Sequence, residues 1–245
     1  MSPQVVTSDQ WLTARQELRT QEIALLRARD AVSAARRALP AVLVEKDYVF
    51  EGPGGSARLV DLFEGRRQLI IYHFMFDPAW DQGCKHCSFL TDNIGHPAHL
   101  HSRDTTIALV SRAPRAKIEP FQRRMGWILP WYSSYGSSFN YDFHVTLDED
   151  VAPVQYDFRD KATLERDGEP FYTQGEQGGV SVFLREGDDV LHTYSAYGDN
   201  MELLQGTYNY LDLTPLGRQD SPGRPWLRHH DNYKPVVTAC RPPTT

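Results

Sequence analysis

Cysteine is scarce in this sequence, which has three cysteines in 245 residues. So few cysteines exclude a small secreted scaffold held together by disulfides. Two of the three, Cys84 and Cys87, nevertheless stand close together. In a reducing compartment such a pair is more often catalytic or metal-binding than structural.

Long apolar runs and an excess of basic residues are also absent. No stretch approaches the roughly 20 apolar residues that cross a bilayer, and "MSPQVVTSDQWLTARQELR" lacks the basic start and apolar core of a signal peptide. The net charge is −6 and the pI about 5.8, so no basic field attracts nucleic acid or anionic lipid. These absences predict a soluble cytoplasmic protein with neither a membrane nor a nucleic acid as partner.

Residues 8–39 have the pattern of one long helix. Ser8 or Asp9 can cap its start, and Pro40 ends it. An apolar residue recurs every seven positions, which forms a narrow stripe with charges elsewhere: Trp11, Leu18, Leu25, Val32 and Leu39. We expect this helix to pack along its own domain. A homodimer contact is the alternative, because a narrow heptad stripe also suits a partner helix.

The remaining pattern alternates strands with helices. The run 69–76 is almost wholly apolar and 105–111 is a second buried-strand candidate, while 114–127 reads as a helix that Pro120 can break. Strand, helix, strand and helix in this order predict a βαβ unit in a partly parallel sheet. Other expected features are a strand at 48–50, a turn at 52–55, an amphipathic piece at 59–63, an aromatic loop at 130–142, a hairpin at 180–195, a helical start within 200–213 and a surface tail from 215. We predict an N-terminal helical extension, 1–40, and one domain, 41–245.

The cysteine pair lies in "DPAWDQGCKHCSF", residues 77–89, after a buried strand and where a helix can begin. The partial positive charge of a helix N-terminus favours a thiolate over a thiol. Lys85 and His86 add positive potential between the two cysteines. This placement predicts redox chemistry in which Cys84 attacks a disulfide and Cys87, about one turn on, resolves the mixed disulfide.

A metal site is the main alternative from the residues themselves. Cys84 and Cys87 could bind zinc or copper(I) together with His73 in the preceding strand or with His86. No second cysteine pair occurs, and the spacing of the nearby His96, His99 and His101 fits no standard zinc finger. A third possibility is that Cys84 and Cys87 have no chemical role and are close only by coincidence. Cys240 in the polar tail is expected to be an unpartnered thiol.

Longer stretches around these residues resemble one family. They are "EKDYVFEGPGG", "DLFEGRRQLIIYHFMFDPAWDQGCKHCSFLTDN", "SRAPRAKIEPFQRRMGWILPWYSSYGSSFNYDF", "GVSVFLREGDDVLHTYSAYG" and "GTYNYLDLTPLGR". On these stretches, which span residues 40–235, the chain is identified as a member of the DUF899 family of thioredoxin-like proteins. The resemblance implies dithiol–disulfide oxidoreductase activity and a thioredoxin-like three-layer α/β/α sandwich with a central mixed sheet. It also implies that Cys84 and Cys87 occupy the active-site position.

The sequence departs from thioredoxin itself at two places. Gly83 precedes the first cysteine where thioredoxins have tryptophan, and Trp80 lies further back. The segment that should carry the substrate-gripping cis-proline reads "EQGGVSVFL", with Gly179 and Val180 in its place. We therefore expect Trp80, Lys85, His86, Gly179 and Val180 to support the site, and we expect a narrower substrate range or a metal ligand.

The favoured interpretation is a thiol–disulfide oxidoreductase that needs no cofactor. Its partner would be a disulfide-containing protein or a small-molecule thiol. A copper or zinc protein is the first alternative. A non-catalytic thioredoxin-like module, which binds a partner through the loop 130–142 or the long helix, is the second.

Overall fold

The structure is a computed structural model that describes residues 3–234. Its twelve strands are β1 Val42–Leu43, β2 Val49–Gly52, β3 Gly55–Arg58, β4 Gln68–His73, β5 Thr105–Ser111, β6 Trp131–Ser133, β7 Thr146–Leu147, β8 Gln155–Tyr156, β9 Arg159–Asp160, β10 Gly175–Glu176, β11 Gly179–Glu186 and β12 Asp189–Tyr197. The α-helices are α1 Ser8–Arg37, α2 Lys85–Asp92, α3 Ala98–His101, α4 Arg115–Arg124, α5 Phe139–Asp142, α6 Lys161–Arg166 and α7 Gly206–Leu211. Short 3₁₀ helices are Leu59–Phe63, Pro170–Thr173, Gly198–Leu204 and His230–Asn232.

An eight-stranded mixed sheet is the centre of the fold. Its order is β1-β12-β11-β4-β5-β6-β2-β3. The three strands β4, β5 and β6 run parallel, whereas β11 pairs antiparallel with both β4 and β12. The connection β4–α2–α3–β5 is the predicted βαβ unit, and β11–β12 is the predicted hairpin. A parallel βαβ unit extended by an antiparallel hairpin on the side of β4 is the thioredoxin-like arrangement that the resemblance implies.

Side chains on the two faces of the sheet form separate cores. On one face Tyr72, Leu109 and Trp131 pack with residues of α2 and α4. On the other face Ile71, Ala108 and Val110 pack with the 3₁₀ helix Leu59–Phe63 and with α5. The alternation of side chains along a strand therefore divides β4, so that Tyr72 and His73 belong to opposite faces. This division gives the three layers that were expected.

Several predicted elements differ in detail. The ladder of β4 ends at His73, and Phe74 to Phe76 continue as a buried loop. Pro120 lies inside α4 and does not end the helix. Ile118 and Phe121, on either side of it, are both buried in the core. The predicted loop 130–142 contains β6 and α5, whose three and four residues are too short for a periodic sequence pattern. The region 200–213 divides into Gly198–Leu204 and α7.

The C-terminal segment packs on the outside of α2, as far as the structure describes it. Leu227 is 2% exposed and forms a small cluster with Phe89 and Tyr208. The tail thus covers the helix that begins at the cysteine pair. Cys240 lies outside the described residues, so the prediction of a free thiol there stays a prediction. No helix within residues 3–234 is long and apolar enough to cross a membrane.

The long N-terminal helix forms as predicted, but it does not pack along its own domain. Thr7, not Ser8 or Asp9, is its N-cap, in a capping box with Gln10. No residue of α1 is buried, and the five stripe residues, including Leu39 just beyond the helix, keep 48–71% of their surface exposed. The expectation of packing along the domain is therefore wrong. The helix that carries the heptad stripe is confirmed, but the apolar side chains of the stripe remain largely exposed.

Charges beside the stripe disfavour a parallel second copy of the helix more than an antiparallel one. If Leu25 faces Ala28 of an antiparallel copy, Glu22 faces Arg29 twice and Arg15 faces Arg36 twice, so attraction and repulsion cancel. In a parallel pair Glu17 would instead face Glu22, which is repulsive. A 30-residue helix is about 45 Å long, which is enough for a two-helix contact.

We therefore expect a dimer in light scattering at high micromolar concentration, and a monomer in Leu18→Glu. The new carboxylate would stand in the apolar stripe and would have to be desolvated on association. Thr20→Glu adds the same charge two residues away from the stripe and is the matched control. A wild-type monomer at that concentration would rule out this contact.

Candidate active site

Cys84 and Cys87 lie at the junction between the loop that follows β4 and the start of α2. Cys84 is the N-cap of α2, with extended backbone angles, and Cys87 is the third residue of the helix. The Cys84 N–H donates to the Met75 carbonyl at 3.0 Å, and its own carbonyl accepts from the Ser88 N–H and hydroxyl, both at 2.9 Å. The backbone of the nucleophile candidate is thus held on both sides.

The two thiols have opposite electrostatic environments. The pKa of Cys84 is held well below its ordinary value, chiefly by the side chain of Cys87 and then, against burial, by His86 and the Cys87 backbone N–H. That N–H faces the Cys84 sulfur without the geometry of a full cap hydrogen bond. The pKa of Cys87, which is 1% exposed, is raised well above its ordinary value by burial and by the Cys84 sulfur. The arrangement therefore favours a thiolate at Cys84 and a thiol at Cys87.

Two further groups contact the buried thiol. The Met75 N–H donates to the Cys87 sulfur at 3.3 Å, and the Tyr72 side chain lies close enough to the same sulfur for each group to shift the pKa of the other. Burial, followed by the Cys87 sulfur, raises the pKa of Tyr72 well above its ordinary value. Tyr72 consequently stays protonated and can donate its O–H to Cys87. Sequence reasoning missed Tyr72, although its alternation with His73 along the strand is visible in "IIYHF".

The predicted supporting residues His86, Lys85 and Trp80 differ in how close they lie to the cysteines. His86 Nδ1 is 3.9 Å from the Cys84 sulfur, and Lys85 occupies the first turn of α2. Trp80 lies in the preceding loop, 39% exposed, and its carbonyl accepts from Lys117 Nζ at 2.9 Å. The structure therefore brings His86 to the thiolate and leaves the Trp80 ring at the surface.

Gly83 is glycine for a steric reason. A Cβ at this position would lie 2.5 Å from Phe74 Cε1 and 2.9 Å from Phe121 Cε1. Both rings are buried in the core, and the Gly83 carbonyl also binds the buried His229 side chain from the C-terminal segment at 2.9 Å. The loop before Cys84 is thus pressed against an aromatic core, which leaves no space for the tryptophan of thioredoxins.

We expect Gly83→Ala to lower the free energy of unfolding by about 2 kcal/mol, because the methyl group overpacks the core. Chemical denaturation measures the loss. Gly95→Ala is the matched control, because a Cβ there meets nothing within 4 Å. Equal stability of the two variants would contradict the close packing at Gly83.

The segment opposite the cysteines carries no proline, and the described residues contain no cis peptide bond. Gly179 pairs with His73 and Val180 with Tyr72 in the sheet. Val180 is buried in the core, and a Cβ at Gly179 would lie 2.9 Å from Val145. The residues of this segment that line a cleft together with Cys87 are instead Gln177 and Gly178, which precede Gly179.

The metal set of Cys84, Cys87, His73 and His86 is not assembled. His73 points to the opposite face of the sheet, where its Nε2 lies 2.8 Å from the Ser181 hydroxyl and its ring packs on Phe139 and Phe143. Burial lowers the pKa of His73 to about 3, so it is neutral. Within residues 3–234 no group of three or more His, Cys, Asp or Glu side chains could hold a metal ion.

The partly buried guanidinium of Arg112 joins two segments that flank the site. Arg112 follows β5 and binds Asp77 at 2.6 Å, in the loop before the cysteines. It also binds Glu176 at 2.7 Å, in the segment before β11, and the Glu176 side chain is 1% exposed. Sequence reasoning missed this clamp, because nothing in the sequence pairs Asp77 with residues 35 and 99 positions away.

A cleft opens beside Cys87. Its volume is about 750 Å³, and its lining includes Tyr72, Met75, His86 and Cys87 but not Cys84. A thioredoxin-like sheet with a Cys-x-x-Cys pair at the start of the helix after its central parallel strand defines the class of this protein.

The chain belongs to the family DUF899, described as bacterial proteins of unknown function, whose model matches residues 1–233. No curated protein matches the sequence. Among solved structures, a variant of Xanthomonas campestris peroxiredoxin Q is 13% identical, with 70% of this chain and 98% of that chain covered and a TM-score of 0.45. The peroxidoxin BcpB from Mycobacterium tuberculosis is 13% identical, with 71% and 97% covered and a TM-score of 0.42. The thioredoxin-like assignment rests on strand order and not on these two likenesses.

Proposed function

We propose that this protein is a thiol–disulfide oxidoreductase in which Cys84 is the nucleophile and Cys87 the resolving thiol. The observation that carries the proposal is the asymmetry of the pair. Cys84, a partly exposed residue whose thiol has a lowered pKa, stands beside the buried Cys87, whose thiol has a raised pKa. A structural pair has no need of this difference, whereas a nucleophile and its resolving partner do.

The proposed reaction uses the two sulfurs in turn. The Cys84 thiolate attacks one sulfur of a disulfide R–S–S–R, which forms a Cys84–S–S–R mixed disulfide and releases one RS⁻, protonated by solvent. Cys87 then loses its proton to solvent and attacks the Cys84 sulfur, which forms the Cys84–Cys87 disulfide and releases the second RS⁻. The substrate gains two electrons and the cysteine pair loses two.

Groups around Cys87 support the second step. The Met75 N–H donates to the sulfur on which negative charge develops, and the nearby Tyr72 side chain lowers the pKa of Cys87 against the effect of burial. Both groups lower the cost of a buried thiolate. Tyr72 acts here by positioning and charge stabilisation, since its own raised pKa keeps it protonated.

Disulfide mapping tests the proposal. The reduced protein is treated with a small excess of a low-molecular-weight disulfide, the remaining thiols are alkylated, and the peptides are analysed by mass spectrometry. We expect one peptide that carries a Cys84–Cys87 disulfide, in a yield matched by two released thiols. Separate alkylation of Cys84 and Cys87 after this treatment would refute the proposal.

A further inference from the structure

The cleft beside the cysteines is walled by three segments of the chain. Phe171 and Tyr172 come from the 3₁₀ helix Pro170–Thr173, and Asp199 and Glu202 from Gly198–Leu204. Residues 220–224 of the C-terminal segment form the third wall. Its volume of about 750 Å³ lies in the range of small-molecule sites. These walls leave room for a small substrate, whereas a folded protein would have to bring its disulfide into the cleft.

Two of the three carboxylates that line the cleft form salt bridges within residues 3–234, and the third does not. Glu202 binds Arg218 at 2.9 Å, outside the lining, and Asp220 lies 3.4 Å from Arg224. Asp199 is exposed at the mouth and makes no ion pair with any residue in the described part of the chain. The lining carboxylates of Asp199, Glu202 and Asp220 outnumber the guanidinium of Arg224, so these groups sum to a negative charge even when His86 is counted as positive. Asp199 is the carboxylate left available to a ligand.

A second acceptor in the cleft lacks a donor. Gln205 lines it, and its Oε1 is buried without a hydrogen-bond partner among residues 3–234. A buried acceptor that stays unpaired costs free energy. The partly exposed Tyr172 lines the cleft and stacks on the buried Tyr156, with the ring centroids 4.9 Å apart. A carboxylate, an unpaired carbonyl oxygen and the ring of Tyr172 all suit an ammonium group.

From this combination we infer that the substrate is a low-molecular-weight disulfide that carries an amino group. The inference rests on the proposed function, because the disulfide has to reach Cys84 while its ammonium lies toward Asp199 and Gln205. The exchange is the balanced reaction given above, in which the cysteine pair supplies both electrons. The inference adds the charge and the size of the substrate, which the redox chemistry alone does not define.

Three disulfides of similar size but different charge test the inference. They are cystamine, with two ammonium groups, neutral 2-hydroxyethyl disulfide, and 3,3′-dithiodipropionate, with two carboxylates. Single-turnover rates with reduced protein come from acid quench, alkylation and mass spectrometry of Cys84. Each rate is divided by the rate of the same disulfide with free dithiothreitol, which removes differences in intrinsic reactivity. We expect the normalised rate to fall from cystamine to the dicarboxylate by about tenfold or more.

Two variants and one salt series separate the outcomes. Asp199→Asn should reduce the preference for cystamine over the neutral disulfide, and about 0.5 M KCl should do the same by screening. Asp188→Asn, in the hairpin turn at the other end of β11, removes the same charge and should keep the preference. Equal normalised rates for the three disulfides, or insulin reduced faster than all of them, would overturn the inference and leave the proposed function standing. If none of these disulfides oxidises the cysteine pair, the proposed function itself fails.

Discussion

Cys84→Ser is expected to reduce disulfides at least about a thousandfold more slowly than the wild type, because a serine hydroxyl is a far weaker nucleophile at neutral pH than a thiolate. The structure places the lowered pKa at Cys84 alone of the pair. The remaining Cys87 is buried and its thiol protonated, so it cannot replace the lost nucleophile. Single-turnover thiol release measures the loss.

Cys87→Ser has a different expected result and is the matched control. Cys84 should still attack, so one thiol is released and the mixed disulfide persists. Intact mass would then increase by half of the substrate disulfide, and tryptic mapping would place the addition on Cys84. The two roles would be wrong if Cys84→Ser kept its rate, or if the stable adduct formed on Cys87 in that variant.

Arg112→Met is expected to lower the free energy of unfolding by about 3 kcal/mol, because it leaves Glu176 buried without its cation. Arg112 also holds Asp77 at 2.6 Å, so the same variant should slow attack by Cys84 as the flanking loops loosen. Arg123→Met is the matched control. Arg123 forms an exposed salt bridge with Glu119, with 74% and 52% of the two side chains accessible. Its loss should lower the free energy of unfolding by less than about 0.5 kcal/mol.

The pH dependence of the Arg112→Met deficit gives a second readout. Burial already raises the pKa of Glu176 in the wild type, and loss of the guanidinium raises it further. A carboxyl whose folded-state pKa exceeds its unfolded value favours folding when protonated, and this advantage is lost as the pH rises through the carboxyl range. The deficit should therefore shrink in acid. A deficit as small as that of Arg123→Met near neutral pH would contradict the buried clamp.

The sequence predicted the elements whose pattern is local. The apolar runs at 69–76 and 105–111 became the central parallel strands, and the hairpin around residues 186–189 formed as expected. The position of Cys84 and Cys87 after a buried strand and at a helix start could be read from the same runs. A Cys-x-x-Cys pair at that place already implies an exposed first sulfur and a buried second one.

Features that depend on distant contacts could not be predicted. The need for Gly83 comes from Phe74 together with Phe121, which is 38 positions away, and Arg112 joins two segments that only the fold brings together. His73 is close to the cysteines in sequence and so qualifies as a metal ligand there, but strand alternation puts it on the other face of the sheet from Tyr72. The helix stripe was recognised, yet the sequence could not tell whether its own domain covers it.

The asymmetry of the two thiols is the central claim, and the pH dependence of their alkylation tests it most directly. Reduced protein is exposed to limiting iodoacetamide across a pH series, and the rate at each cysteine is read from its peptide. We predict that Cys84 reacts with a midpoint well below the ordinary thiol pKa, while Cys87 stays unreactive over the same range. Ordinary midpoints for both thiols, or faster alkylation of Cys87 than of Cys84, would contradict the account.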